Sequence, residues 1–259
     1  MIFDAADFVF QPPAEVAFAR RVLIKPSAAY PSHYPVTTSR EILTSVITGI
    51  RKVSDADILL LEGNTGRGSM KSIYQVLGYN FPRTVMLDVN ECALLEIENP
   101  LPKPFSLSTI WVPSIILSCD FLITVAQFHI AGQSGSFSIR NLLGLLPTAK
   151  YLGETTDFSS FWQRLGIHGA IADFHFTLPF DLGIIDGRKK LISVDDPMLG
   201  SSEDYGKIFV GSPYEVDCEA SRAAGVETRH LRLIEKAKAE HIDIEQSGWL
   251  EAMKRSNSK

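Results

Sequence analysis

No C-x-x-C pair occurs in this chain. Its three cysteines, Cys92, Cys119 and Cys218, stand far apart, so a zinc ribbon, an iron–sulfur cluster and a thioredoxin-like redox pair all lack their ligand spacing. That leaves reduced, mostly buried thiols. Long apolar runs are also missing: the longest, ILLL and FLITVA, fall far short of the ~20 residues that a membrane span requires. The opening MIFDAADFVF carries acids and no basic region, unlike a secretory signal. No block of five like charges occurs, and 25 basic against 30 acidic residues give a formal charge of −5. A partner gripped through phosphates needs a concentrated basic face, so nucleic acid is disfavoured. These absences point to a soluble, cytoplasmic protein without a membrane or nucleic-acid partner.

What is present is ordinary globular usage, 45% hydrophobic and 21% charged over 259 residues. That length suits one α/β domain over 1–250, with a frayed tail over 251–259. Candidate strands are RVLIKP (21–26), DILLLEG (57–63), TVMLDV (84–89), FLITVA (121–126), LGIID (182–186) and KIFVGS (207–212). Their near-continuous apolar character predicts strands covered on both faces, hence a mostly parallel central sheet in three layers, with helices on both faces. Helical periodicity marks 39–53, with Ser39 as N-cap, and also 69–77, 157–176, 213–224 and 228–241. The proline-punctuated 98–113 reads as an excursion laid over the domain, and 195–204 as a polar loop.

In open parallel sheets ligands sit beyond the carboxyl ends of the strands. That rule selects Lys25, residues 62–69, 88–91, 129–141 and 186–190, and Ser212. Among these, EGNTGRGSMK is a glycine-rich turn opening a helix. The amides of Gly63, Thr65, Gly66, Gly68 and Ser69 could cradle an anion; the alternative is a flexible turn with Arg67 in solvent. It is no Walker loop, because Gly68 is followed by Ser69 and Met70, and no dinucleotide fingerprint, because Lys71 stands where a third glycine belongs. The later loop QFHIAGQSGS fails as a nucleophile elbow, since Gly135 follows Ser134 directly.

Arg140 and Asn141 come early in the next helix. The arginine is placed either for bidentate recognition of a carboxylate or phosphate, or for a surface ion pair. His129, read as ending a strand, offers acid–base chemistry or a satisfied hydrogen bond. Asp186 closes LGIID and could bind a hydroxyl, a cation or a lysine, or cap its turn. Asp217 lies one turn into a helix, where the dipole favours it. His168 and His175 are seven apart, a spacing that defines no metal site.

Taken in order, VLIKPS with PVTT, EGNTGRGS, SCDFLITVAQFHIAG, RNLLGLLP, LGIHGAIADFHFTLPFDLGIIDG and VGSPYEVDCEASRAAG resemble the family called domain of unknown function 362. The resemblance runs from about Val22 to Gly225 and supports Lys25, Arg140, Asn141, His168, Asp186 and Asp217 as site residues. The chain departs from the family pattern at Ser27 and Ser212. It has His129-Ile130-Ala131 where a lysine-threonine-histidine cluster is usual, and Arg140 where a lysine is usual. The ferredoxin-like cysteine clusters of many relatives are absent.

Two functional readings follow. In one, the chain binds a small anion, a carboxylate or phosphate, through Lys25, Arg140 and the glycine loop. Asp186 with His129 or His168 would then handle protons in an enzyme. In the other, it is a non-catalytic binding or assembly protein, possible as a homo-oligomer, derived from an enzyme-like family. Neither reading names a cofactor, and no metal ligand set is assigned.

Overall fold

The structure is a computed structural model that describes residues 1–64, 69–151, 165–194 and 196–240. Among these residues eight strands form one mixed sheet in the order β1-β10-β9-β7-β2-β3-β4, with β8 paired to β7. The strands are β1 (Ile2–Asp4), β2 (Arg21–Pro26), β3 (Asp57–Glu62), β4 (Thr84–Asp88), β7 (Phe121–Ala131), β8 (Ser134–Ser136), β9 (Leu182–Ser193) and β10 (Ser201–Gly211). A separate hairpin joins β5 (Leu94–Glu98) to β6 (Thr109–Pro113) within the expected excursion. Strands β9, β7, β2, β3 and β4 run parallel. β10 and β1 are antiparallel additions on the β9 side.

The helices are α1 (Arg40–Val53), α2 (Met70–Val76), the short α3 (Ser138–Asn141) and α4 (Thr148–Tyr151), α5 (Ile167–Thr177), α6 (Pro213–Ala224) and α7 (Arg229–Glu240). The period-two alternation of the strands sorts them into layers. Val22, Ile24, Ile58, Leu60, Ile123 and Val125 pack with Ile42, Leu43 and Val46 of α1 and Met70 and Ile73 of α2. Their neighbours Leu23, Leu59, Leu61 and Leu122 face the other way, onto Ala170, Ile171 and Phe174 of α5 and Leu231 and Ile234 of α7. The hairpin adds Ile97, Ile110 and Val112 to that second core. The three-layer α/β expectation therefore holds.

Local signals worked where the physics is local. Ser39 N-caps α1, its hydroxyl accepting the Ile42 N–H at 3.1 Å; such a cap is worth about 1 kcal/mol. Two expectations need correction. KIFVGS is not a parallel strand: β10 starts at Ser201 and runs back along β9, with Gly211 opposite Gly183. Ser212 therefore lies at the amino ends of the parallel strands, away from the crest where ligands were expected. The expected loop over 195–204 is correspondingly short, because Ser201 to Asp204 already pair with Ile192 to Lys189. The helix expected over 157–176 is seen as α5, and its earlier part lies outside the described residues.

Candidate functional site

The carboxyl ends of β2 and β3 carry Lys25 and Glu62, two ionisable side chains sealed from water. Lys25 Nζ lies 2.8 Å from Glu62 Oε1 and donates to Oε2 at 2.9 Å and to Asn141 Oδ1 at 2.8 Å. Glu62 also accepts the N–H groups of Ala28 at 2.7 Å and Gly63 at 3.0 Å. Asn141 is turned inward, with its Nδ2 donating to Thr124 Oγ1 at 3.0 Å. Burial pushes Lys25 down and Glu62 up from their usual ranges, each opposed by the partner's charge. A 3-10 turn over Leu142–Leu145 closes the pair off. A Cβ at Gly144 would stand 2.4 Å from Glu62 Oε1 and 2.6 Å from Lys25 Nζ, so any larger residue must displace the pair or the turn.

Asp186 anchors a second buried group. Gln127 of β7 lies opposite Asp186 and Phe128 opposite Lys190, so residues 187–189 bulge from β9. The bulge turns Arg188 back onto the carboxylate, with Nε 3.0 Å from Oδ1 and Nη2 2.8 Å from Oδ2. The Ser39 hydroxyl donates to Oδ2 at 3.0 Å and the Tyr34 hydroxyl to Oδ1 at 3.2 Å. Hydrogen bonding to Asp186 holds the Arg188 guanidinium above its ordinary range. Asp186 thus ties the loop after β2 and the start of α1 to the sheet.

The third group surrounds the loop after β7. His129 lies inside β7, because the strand runs on to Ala131 and pairs there with both β8 and β9. It does not end the strand, as the apolar run FLITVA suggested. Its Nε2 is 2.8 Å from Ser193 Oγ. Burial first, then the charge of Arg140, pushes the imidazole down to about 4. Gly132 and Gln133 make the tight turn into β8, with Gly132 at φ +61°. Asp217, buried on α6, accepts the N–H of Ser138 at 2.9 Å and of Ile139 at 3.0 Å, together with the Ser138 hydroxyl. It thereby fixes the start of α3, which carries Arg140.

Arg140 itself is half-buried, its guanidinium has no hydrogen bond or ion pair among the described residues, and burial lowers its pKa. His168 of α5 stacks on His230 of α7, with ring centroids 6.1 Å apart. Burial pushes His168 down to about 4, helped by His230, Arg140 and Arg229. His230 is buried with neither ring nitrogen hydrogen-bonded among the described residues; its Nε2 stands 4.0 Å from Asp217 Oδ2. Beside His168 opens a cavity of about 320 Å³ lined by Gln133, Ser134, His168, Glu227 and Arg229. Glu227 is taken by Arg232 at 2.7 Å, and Arg229 has no ion pair among the described residues. Ser134 Oγ and His168 Nδ1 are buried without hydrogen-bond partners among the described residues.

The structure thus brings Lys25 and Asn141 together, sets Asp186 with Arg188, and clusters Arg140, His168 and Asp217 around His230. Gly63 and Ser69 flank the glycine loop, while Thr65, Gly66 and Gly68 lie outside the described residues. Sequence reasoning missed Arg229 and His230, and it shortlisted Arg188 within 186–190 without giving it a role. An arginine two residues beyond Asp186 was a visible hint, but nothing local reveals the bulge that aims it. Among the described residues no group of three or more His, Cys, Asp or Glu side chains could hold a metal ion. No described helix is long and apolar enough to cross a membrane.

Fold and site define an α/β protein with a parallel sheet centre whose polar groups gather beyond the strand ends. The model of the family described as Domain of unknown function (DUF362) matches residues 22–222, and the chain belongs to that family. No curated protein matches it. Among solved structures it is similar to the lactate racemase apoprotein from Thermoanaerobacterium thermosaccharolyticum, with a TM-score of 0.50 and 13% identity. The match covers 85% of this chain and 53% of that one, so the chain spans about half that protein's length. Identity this low shows likeness of fold alone.

Proposed function

We propose that the protein binds a small anion, a carboxylate or phosphate, beyond the carboxyl ends of its parallel strands, with Arg140 as the principal counter-charge. One observation carries this reading. Lys25 and Arg188 are each matched by a buried carboxylate, whereas Arg140 is half-buried with no acidic partner among the described residues. A partly desolvated guanidinium without an anion is unfavourable, and a bidentate carboxylate or phosphate would offset that cost. Arg229, Ser134 Oγ and His168 Nδ1 add a free charge and two unmet hydrogen-bonding positions nearby. The glycine-loop amides from Gly63 to Ser69 belong to the same proposal as a cradle for the anion. Lys25 contributes as a support for Asn141 rather than as a free ligand charge.

Thermal unfolding in phosphate, sulfate, acetate and lactate tests this. Lactate, named in the like-folded racemase, is itself a small carboxylate. A ligand that binds only the folded chain raises the melting temperature, by roughly 2.7 kcal/mol of stability at a hundredfold excess over Kd. At least one anion is expected to raise it in the wild type and to do nothing for Arg140→Ala. Unchanged melting across the panel overturns the proposal.

A further inference from the structure

His168 is a wall shared by two cavities of opposite character. On one side lies the polar cavity with Arg229 and Ser134. On the other, a recess of about 420 Å³ is lined by Phe105, Ser106, Gly166, Ile167, Gly169 and Leu233, with His168 between them. Phe105, Ile167 and Leu233 are half-buried extensions of the main core.

The recess is a built feature. Phe105 belongs to the connection between β5 and β6, which Asp173 of α5 grips through the N–H groups of Phe105 at 2.9 Å, Ser106 at 2.6 Å and Leu107 at 2.8 Å. The segment lies so close to α5 that a Cβ at Gly169 would stand 2.3 Å from Ser106 Oγ. Its apolar side chains are therefore held in place before any ligand arrives.

We propose that the ligand is an anion bearing an apolar group, of the arylacetate or branched-chain acid class, held astride His168. Its charged end lies with Arg229 and Ser134, and its apolar end covers Phe105, Ile167 and Leu233. Ring stacking on His230 leaves the His168 imidazole as a flat divider that can present one nitrogen to the charged end and its ring edge to the apolar end. The inference rests on the reading that the chain binds an anion; it takes Arg229, which lines the polar cavity, as that anion's direct contact in place of Arg140, which lines neither cavity, and it specifies the substrate class. A small inorganic anion would leave the recess unused, and covering it with a ring or branched chain is favourable in proportion to the apolar area removed from water.

The test is a titration of the full chain with acetate, phenylacetate and 2-phenylethanol, following the His168 imidazole by NMR. Phenylacetate is expected to bind about tenfold or more tighter than acetate, as covering an aromatic group implies, and the uncharged alcohol to bind far more weakly than phenylacetate. Leu233→Ser should bring phenylacetate close to the acetate value while leaving acetate unchanged. Equal Kd values for acetate and phenylacetate in the wild type overturn this inference and leave the anionic reading standing. Binding of the alcohol as tightly as the acid, or no response to any of the three, overturns both. The wild-type comparison decides the matter even if Leu233→Ser fails to fold.

Discussion

Lys25 Nζ lies 2.8 Å from Glu62 Oε1, and both side chains are buried at the junction of two parallel strands. Removing one member of such a pair strands the other charge in the interior, at a cost of about 3–5 kcal/mol. Lys25→Met and Glu62→Gln are each expected to lose that order of stability. The double variant should lose less than the sum of the two, because neither charge is then left alone. Urea denaturation of the four proteins measures this; strict additivity would show that the pair does not act as a unit.

Gly144 is the lid on that pair. An alanine there must displace either the ion pair or the Leu142–Leu145 turn, and overpacking of this kind costs about 1–3 kcal/mol. Gly206→Ala serves as the comparison, since its φ of +76° strains an alanine while nothing lies within 4 Å of the added carbon. Gly144→Ala is expected to alter the amide spectrum of Ala28, Gly63 and Asn141. Gly206→Ala should leave those resonances in place.

Acid stability follows from the histidines. His129 titrates at about 4 and His175 at about 3 in the folded chain, both chiefly because burial disfavours the charged ring. In the unfolded chain each returns to ~6.5. Between those values the unfolded chain binds more protons, so this stability is present above about pH 6.5 and is lost as the pH falls towards 4 for His129 and towards 3 for His175. These depressions correspond to roughly 3 kcal/mol for His129 and roughly 5 kcal/mol for His175. His129→Gln should flatten the fall, as read from urea midpoints between pH 4 and 7; an unchanged slope would rule His129 out as its source.

Asp173 predicts a local effect. It accepts three consecutive backbone N–H groups and the Asn99 side chain at 2.9 Å. Asp173→Ala leaves those donors unmet, at about 1–3 kcal/mol for each one that stays buried. Hydrogen exchange at Phe105, Ser106 and Leu107 is expected to accelerate well beyond that of β2 amides. Uniform acceleration across the chain would show that Asp173 supports global rather than local stability.

Short-range physics was legible along the chain. Near-continuous apolar runs marked β2, β3 and β7 as strands covered on both faces. Ser39 announced the start of α1, and the prolines of 98–113 announced an excursion. The resemblance over Val22 to Gly225 also singled out Lys25, Arg140, Asn141, His168, Asp186 and Asp217, of which the structure joins Lys25 with Asn141. These signals repeat every two to four residues, so they need no knowledge of what lies opposite.

Partners and directions were not legible, because they depend on strand order and register. Lys25 meets Glu62 across 37 positions of sequence, and only adjacency of β2 and β3 makes that an ion pair instead of two free charges. Arg188 turns onto Asp186 because a bulge lets β9 continue beside β7, which no local pattern encodes. The antiparallel return of β10 moved Ser212 to the wrong end of the sheet, and the extension of β7 drew His129 into a strand. His168 finds His230 because α5 and α7 pack on the same face. Composition and periodicity decided which apolar residues are buried; the long-range packing of strands and helices decided that Lys25, Glu62 and Asp186 are buried with partners, and that Arg140 is a cation left half-buried without an acidic partner among the described residues.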